Sequence, residues 1–337
     1  MQTGRSLLRP ALVVALVIPL VSCGFFDQLS AMRTFKEANT LYQRGDYEGA
    51  IEEYGHVIDV VEADPESDLS QVMTVAYFFL ANSYDSLYTP AFRGQAENDQ
   101  LLETAIEYYQ VAAERIPDAH YRTLSMQYLA AAYAPDKMND PTNRALLLQD
   151  MIQLDPGNPE NYLALAQLFE ESGLFEQAET IYLDVREMQQ EDPTIHLQLA
   201  GFYNRSGDFD KTIEALRERA RIEPDNPEAY YTISTFFWEK AFRDFRITQD
   251  QKAEYVLEGL AAADQAIELN DRYVDALVYK GILLRMQANL SDDVEEQDAL
   301  IAQADELRDL AQQYLDEARG AAAAEAAEAA AEGDGGQ

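Results

Sequence analysis

Apolar positions in the middle of the chain recur at a step of 34 residues, from residue 159 to about 240. Pro159, Pro193 and Pro227 stand at this step. Within each step, large apolar residues return every three or four positions, which is the spacing of an amphipathic α-helix. The pattern therefore predicts successive pairs of similar helices. The other positions that keep the step are Tyr162, His196 and Tyr230; Leu165, Leu199 and Ile233; Ala166, Ala200 and Ser234; Phe169, Tyr203 and Phe237; Gly173 and Gly207.

A 34-residue step built of two helices resembles the tetratricopeptide repeat. The resemblance extends toward the N-terminus, where Ala38 and Ala50 hold the small positions and Gly45 stands at the turn between two helices. It covers about residues 31–318 and implies an all-α fold, a right-handed α-solenoid of about seven helix pairs. Members of this superfamily are mostly scaffolds that hold peptides or protein partners, so the resemblance implies a binding function.

Two of the expected pairs contain extra residues. Small residues hold fixed positions in the repeat. In this chain the separation between Ala81 and Ala105 exceeds the separation in the repeat by 12 residues, and that between Ser234 and Ala266 exceeds it by 13. Two inserts at the same place in two repeats would project from one edge of a solenoid. Whether they contact a partner or pack against the repeats stays open at this point. Their aromatic and basic residues are Tyr88, Phe92 and Arg93 in the first and Phe242, Arg243, Phe245 and Arg246 in the second.

A long capping helix is expected at the C-terminal end, from about residue 293. Leu300, Ala304 and Leu307 alternate four and three residues apart and continue as one apolar stripe. The other faces of this helix are charged, as the terminal helix of a repeat array needs for solubility. Residues 319–337 form an Ala/Glu-rich, low-complexity tail, which we expect to be a frayed helix or a solvated segment.

The N-terminus has the pattern of a bacterial export signal. Arg5 and Arg9 precede an apolar run of 11 residues, which is too short to span a membrane as a helix. The run ends in Leu-Val-Ser-Cys-Gly, which resembles the lipobox of bacterial lipoproteins and assigns lipid attachment, by acyl chains such as palmitate, to Cys23. The alternative is an ordinary secretory signal with an incidental cysteine.

The lipoprotein resemblance implies a cleaved signal peptide at residues 1–22 and a lipidated tether at residues 23–30. Gly24, rather than Asp, follows the cysteine, and in lipoproteins this favours the outer membrane of a Gram-negative cell. We therefore expect a protein that is lipid-anchored to the outer membrane and faces the periplasm.

The composition is strongly acidic, with 25 Lys+Arg against 61 Asp+Glu and a formal charge of −36. Nucleic acid is excluded as a partner, because phosphate binding requires a basic surface. The acidity keeps a helix-rich protein soluble, or it selects basic partners.

No catalytic or cofactor motif stands out in the sequence. Cys23 is the only cysteine, so a thiolate zinc site and a cysteine nucleophile are excluded. His56, His120 and His196 stand far apart, in helical apolar patterns that favour packing or surface roles. No phosphate-binding glycine motif or His-Glu-x-x-His motif occurs. We expect no enzyme activity, no cofactor and no metal.

Partner-binding residues follow from the resemblance, because the first helices of tetratricopeptide pairs line a concave groove. Trp238 is the only tryptophan, and aromatic and Arg side chains are typical anchors of binding hot spots. Packing of Trp238 under the adjacent insert is an equally open alternative. The candidate partner-binding residues are Tyr42, Asn82, Asn204, Arg205, Tyr231, Trp238, Arg243, Arg246 and Arg285, and Asn39 and Asp85 hold further groove positions.

Together these patterns predict a lipid-anchored periplasmic scaffold or adaptor that recruits other envelope proteins or peptides. A second hypothesis is a lipoprotein of the same superfamily that binds a small ligand as partner of a solute transporter. That protein would contain a closed apolar channel, for which 20 Tyr and 14 Phe supply suitable side chains. A third is a purely structural spacer. The sequence leaves the oligomeric state open.

Overall fold

The computed structural model describes the backbone of residues 22–334 and the side chains of residues 30–322. Over this part of the chain the fold is all-α, with one short 3-10 helix at Pro90–Phe92 and no strand. The α-helices are α1 (Ser22–Gln43), α2 (Tyr47–Ala63), α3 (Asp68–Met73), α4 (Ala76–Leu87), α5 (Ala96–Arg115), α6 (Ala119–Ala132), α7 (Pro141–Leu154), α8 (Pro159–Glu171), α9 (Phe175–Met188), α10 (Pro193–Ser206), α11 (Phe209–Ile222), α12 (Pro227–Arg243), α13 (Gln249–Leu269), α14 (Val274–Ala288) and α15 (Val294–Asp334).

The helices between residues 22 and 334 follow one another in seven pairs, as the repeat predicted. α1 packs on α2, α4 on α5, α6 on α7, α10 on α11, α12 on α13 and α14 on α15. α8 and α9 complete the series in chain order. α3 is an extra helix of six residues between the first two pairs, which the sequence did not predict. The predicted all-α solenoid class is confirmed, and α15 is the long C-terminal helix.

The first of two compact units, Met1–Leu168, has an aromatic core. Tyr54 and Tyr109 are fully buried, from α2 and α5. Ala38 and Ala50 are also fully buried, where α1 packs on α2. Because the distance between two packed helices depends on the side chains at the contact, these alanines allow the close approach that the repeat requires.

The core of the second unit, Phe169–Gln337, includes aliphatic side chains from successive helices. Leu199 of α10 and Leu216 of α11 are at most 2% exposed. Val256 of α13 and Leu283 of α14 are fully buried. Each fully buried aliphatic side chain contributes about 1.5–3 kcal/mol relative to exposure, so these contacts stabilise the pairing of neighbouring helices.

Helix termini account for the prolines and glycines that recur at the 34-residue step. Gly173 and Gly207 have φ angles of +75° and +84°, in the left-handed region that glycine adopts without steric cost. Gly207 ends α10 in this conformation. Pro193 and Pro227 begin α10 and α12, where a missing N–H group costs no helical hydrogen bond.

The first insert packs onto its own unit. Tyr88 is 6% exposed, and the guanidinium of Arg93 donates to the carbonyl oxygen of Pro135 at 3.0 Å. Gly94 turns the chain with a φ angle of +93°, and its N–H donates to the Asp99 carboxylate at 3.0 Å. Of the two roles left open for this insert, the contacts fit a packed elaboration of the first unit.

The second insert lengthens a helix pair. α12 has 17 residues against 14 in α10, and α13 has 21 against 14 in α11. The connection at residues 244–248 is also longer than the one after α10. The insert is therefore helical over most of its length, and it extends the α12–α13 pair beyond the length of the preceding pair.

The expectations for the chain ends are only partly within the described residues. The signal peptide at residues 1–22 lies outside them except for Ser22, and the side chain of Cys23 is not described. The backbone of residues 23–30, expected as a tether, lies within α1. In the tail at residues 319–337, α15 continues to Asp334. None of the helices described is long and apolar enough to cross a membrane.

Candidate functional site

Two candidate residues of the first unit, Tyr42 on α1 and Asn82 on α4, contact each other directly. The Tyr42 hydroxyl donates to Oδ1 of Asn82 at 2.5 Å, and Nδ2 of Asn82 donates to the Tyr109 hydroxyl oxygen at 3.1 Å. Asn39 accepts a hydrogen bond of 2.6 Å from the Tyr54 hydroxyl. The polar positions predicted for the groove thus connect the first helices of two pairs to the second helices beneath them.

This hydrogen-bond network ends in an ion pair. The Asp85 carboxylate lies 2.5 Å from Nζ of Lys137, and the two side chains are 8% and 22% exposed. The Tyr109 hydroxyl lies 3.5 Å from the other Asp85 oxygen. Burial, together with the Asp85 charge, raises the pKa of Tyr109, so its hydroxyl stays neutral and can donate. Because these groups bond to one another, the network orders the first unit.

An aromatic surface beside the network was missed in the sequence. Phe79 on α4 packs edge-on against Tyr42, with ring centroids 5.3 Å apart, and against Tyr121 on α6 at 5.8 Å. Tyr128, also on α6, is 38% exposed. All four residues stand on the first helices of their pairs. This position is the feature of the sequence from which the aromatic surface could have been predicted. The sequence reasoning chose mainly polar positions and overlooked the rings between them.

In the second unit, Tyr231 and Trp238 on α12 both contact Tyr279 on α14. The ring centroids are 5.4 and 5.3 Å from that of Tyr279, with nearly perpendicular planes. Trp238 also stacks on Phe242 at 5.5 Å, and its buried Nε1 has no hydrogen-bond partner. Burial and then the neighbouring Tyr279 raise the pKa of Tyr231 to about 12. Trp238 therefore packs against the beginning of the second insert, as one of the two alternatives expected.

Arg205 and Arg285 are held in ion pairs within the second unit. Nε and Nη2 of Arg205 donate to the two carboxylate oxygens of Glu170 at 2.5 and 3.0 Å. Nη2 of Arg285 donates to Oδ1 of Asp305 at 2.7 Å, and this bond holds the pKa of Asp305 below its usual range. The sequence predicted both arginines as partner anchors. In the structure they link α10 to α8 and α14 to α15.

Three candidates from separate parts of the sequence meet at one cleft. Asn204, at the end of α10, lies with Arg243 and Arg246 around a cleft of about 380 Å³. Phe245, which is 95% exposed, forms part of the same lining. The Asn204 position and the second insert were predicted separately, and the structure joins them. The remaining lining residues are Gly207, Phe209, Phe236, Glu239, Lys240 and Asp244.

Asp244 fixes the connection between α12 and α13. Its carboxylate accepts from Nζ of Lys240 at 2.9 Å and from Nε and Nη2 of Arg246 at 2.8 and 2.9 Å. These bonds hold the pKa of Asp244 well below its usual range. Thr248 then starts α13 with a capping box that it forms with Gln251. The connection is therefore an ordered turn.

The described side chains form no evident metal centre. No group of three or more His, Cys, Asp or Glu residues that could hold a metal ion occurs among them. His196 is 6% exposed, and its Nε2 lies 3.2 Å from the carbonyl oxygen of Gln190. This histidine has the packing role expected from its helical pattern.

Comparison with known proteins identifies a repeat segment and a shared fold. A tetratricopeptide repeat family model matches residues 145–201. The C-terminal part of a tetratricopeptide repeat-containing protein from Cytophaga hutchinsonii is 14% identical, with a TM-score of 0.51, over 84% of this chain and 98% of that one. A tetratricopeptide repeat protein from Parabacteroides merdae is 11% identical, with a TM-score of 0.43, over 82% and 99%. Comparison with curated proteins gives no match.

The matched segment falls on the part of the chain where the 34-residue step is most regular. Residues 145–201 run from α7 into α10. The similarity to the Cytophaga structure shows a common fold. At 14% sequence identity it does not indicate a common function. A tetratricopeptide repeat model therefore matches residues 145–201 of a chain whose fold is an all-α solenoid.

Proposed function

We propose that this protein is a lipid-anchored scaffold that recruits other proteins or peptides at the bacterial cell envelope. Tetratricopeptide repeats typically bind proteins and generally have no catalytic role, which supports a scaffold. The observation that carries the proposal is the cleft formed by Asn204, Arg243, Phe245 and Arg246. Exposed aromatic and Arg side chains grouped in this way are typical of protein-binding surfaces.

The anchoring part of the proposal rests on Cys23. It is the only cysteine in the chain, it follows the small residue Ser22, and it ends an apolar run with a basic start. Each buried methylene group of an acyl chain contributes about 0.8 kcal/mol, so two or three chains hold a protein firmly on a bilayer. Gly24 at the next position supports the outer membrane, with the protein facing the periplasm.

The small-ligand alternative has no comparable support. It requires a closed apolar channel, and the clefts described within each unit are open to the surface. The cleft beneath α3, of about 600 Å³, is lined by Val72, which is 73% exposed. The cleft at the second insert has three cationic residues in its lining. Both fit contact with another macromolecule better than enclosure of a small molecule.

Replacement of the proposed lipid-bearing residue tests the anchor. We expect Cys23→Ala to move the protein from the membrane fraction to the soluble fraction and to abolish labelling by radioactive palmitate. Ser22→Gly is the matched control, because it keeps a small residue before the cysteine and should leave both unchanged. Membrane retention of Cys23→Ala would show that the anchor proposal is wrong.

Gly24→Asp tests the choice of membrane. If the residue after the lipidated cysteine sorts this protein, the variant should move from outer-membrane to inner-membrane fractions of a density gradient while it keeps its lipid. Gly24→Ser serves as control and should stay in the outer membrane. An unchanged distribution of Gly24→Asp would contradict this sorting role.

A further inference from the structure

We propose that the tip of the α12–α13 pair, residues 239–248, binds an acidic peptide segment that carries an aromatic side chain. This inference rests on the proposed scaffold function and names its partner surface. The binding place is the cleft between the tip and the junction of α10 with α11, where Asn204 and Phe209 form the opposite wall. The first-helix positions Tyr231 and Trp238 do not line this cleft, although Trp238 stacks on Phe242 of the tip.

The tip presents two exposed aromatic rings, of which Phe242 also stacks on Trp238. Phe245 is 95% exposed and Phe242 is 63% exposed. Phe242 lies at the end of α12, and Phe245, three residues later in the following turn, lines the cleft. Removal of such rings from water by a partner is favourable in proportion to the apolar area covered.

The charge of the tip differs from that of the chain. Lys240, Arg243 and Arg246 face two carboxylates, Glu239 and Asp244, so the lining of the cleft has an excess of positive charge. The whole chain carries a formal charge of −36. Exposed charges further apart than about 8 Å are largely screened at physiological ionic strength, so a short peptide responds mainly to the tip. A segment with carboxylates is the complementary partner.

Both arginines are accessible to such a segment. The side chains of Arg243 and Arg246 are 67% and 79% exposed. Arg243 pairs with Glu239 at 2.9 Å, and exposed ion pairs of this kind contribute little to stability, so exchange for a partner carboxylate meets little opposition. Asp244 holds Arg246 by Nε and Nη2, which orients the guanidinium before a partner arrives.

The size of the cleft favours one side chain of a peptide. Its volume of about 380 Å³ is at the lower end of the range of about 300–1,000 Å³ for pockets that enclose small molecules. We place an aromatic side chain of the peptide in this cleft, which Phe209 and Phe245 both line, and its flanking carboxylates at the arginines. An anionic membrane is a poorer fit, because a flat surface would also meet the acidic remainder of the chain.

The test uses the Cys23→Ala chain, so that no lipid contributes to binding. Short fluorescein-labelled peptides are compared by fluorescence anisotropy: one of Glu, Asp and Phe, one with Ala in place of Phe, and one with Lys in place of the acidic residues. We expect the first to bind most tightly and to weaken with added salt. Phe245→Ser and Arg246→Glu should each weaken it by about tenfold, which corresponds to about 1.4 kcal/mol.

Matched controls lie elsewhere on the second unit. Leu257→Ser removes another exposed apolar side chain from α13, and Arg319→Glu reverses another exposed, ion-paired arginine. Neither should change the anisotropy titration. Equal binding of all three peptides, no binding of the acidic aromatic peptide, or unchanged binding after Phe245→Ser would overturn the proposal. Binding to phosphatidylglycerol vesicles that depends on Phe245 would overturn it in favour of a membrane contact.

Photo-crosslinking in cells separates this inference from the scaffold function. Benzoylphenylalanine is placed either at Phe245, on the tip, or at Tyr128, on the exposed aromatic surface of the first unit. Crosslinks from position 128 but none from 245 would reject the tip and keep the scaffold. An absence of protein crosslinks from both positions would reject both proposals. Crosslinks from 245 support the tip when the captured peptide is acidic and contains an aromatic residue.

Discussion

At the scale of single residues, Asn82 and Asn204 show how similar positions acquire different roles. Both stand on the first helix of a pair, and both are candidate binding residues. Asn82 is 7% exposed and bonded to Tyr42 and Tyr109. Asn204 is exposed and lines the cleft at the second insert. The first asparagine therefore contributes mainly to folding and the second to the surface.

Alanine substitution should separate these roles. Asn82→Ala leaves the half-buried Tyr42 hydroxyl without its acceptor and the buried Tyr109 hydroxyl without a donor. We expect it to lower the free energy of unfolding by about 1–3 kcal/mol. Asn204→Ala, the matched control, should change it by less than about 0.5 kcal/mol. Urea unfolding followed by circular dichroism measures both. Equal effects of the two variants would contradict the assignment of Asn82 to the folded core.

At the scale of helices, two glycines differ only in backbone conformation. Gly55 lies inside α2, whereas Gly207 ends α10 with a φ angle of +84°. An added Cβ would have no atom within 4 Å at either position. A new methyl group would therefore meet no neighbouring atom at either position. The effect of an alanine is decided by helix propensity at Gly55 and by left-handed backbone strain at Gly207.

The two Gly→Ala variants should have opposite effects. Gly55→Ala should stabilise the protein by about 1 kcal/mol, because alanine favours a helix interior over glycine. Gly207→Ala should destabilise it by about 1–2 kcal/mol, since an alanine Cβ clashes in the left-handed conformation. Thermal unfolding midpoints compare the pair. A decrease for Gly55→Ala or an increase for Gly207→Ala would show that another interaction dominates there.

At the scale of the molecule, tyrosine is an abundant buried ionisable side chain, and it links stability to alkaline pH. Burial, with the charge of Glu170 next, raises the pKa of Tyr182 to about 12, and Tyr231 is also raised to about 12. An unfolded tyrosine titrates near pH 10. The folded state therefore favours the neutral form, and its stabilising contribution is complete below pH 10 and is lost as the pH rises to about 12.

This linkage predicts alkaline unfolding in the same window. Helicity followed by far-ultraviolet circular dichroism should fall between about pH 10 and 12, together with tyrosinate absorbance. Lysine ion pairs also weaken in this range, so Tyr182→Phe and Tyr231→Phe are needed to separate the causes. Each should make stability less dependent on pH above 10. An unchanged pH dependence in both variants would assign the loss to the lysines.

Much of the architecture could be predicted because it depends on residues close in sequence. The step at Pro159, Pro193 and Pro227 predicted where helices begin, and the buried alanines Ala38 and Ala50 follow from the need for close helix contact. Caps, turns and amphipathic stripes are local interactions, so a single sequence contains nearly all the information that specifies them. The extra helix α3 has no place in the repeat and was missed for that reason.

The binding surface could be predicted only in part, because exposure depends on residues distant in sequence. Arg205 and Arg246 look alike in the sequence as arginines near the end of a first helix. Arg205 meets Glu170, 35 residues earlier, whereas Arg246 is held by Asp244, two residues earlier, and stays 79% exposed. The sequence by itself determined the helix pairs, through local propensity and spacing. Only the tertiary structure decided which charges are paired and that Asn204 lies beside the second insert, since long-range packing brings those groups together.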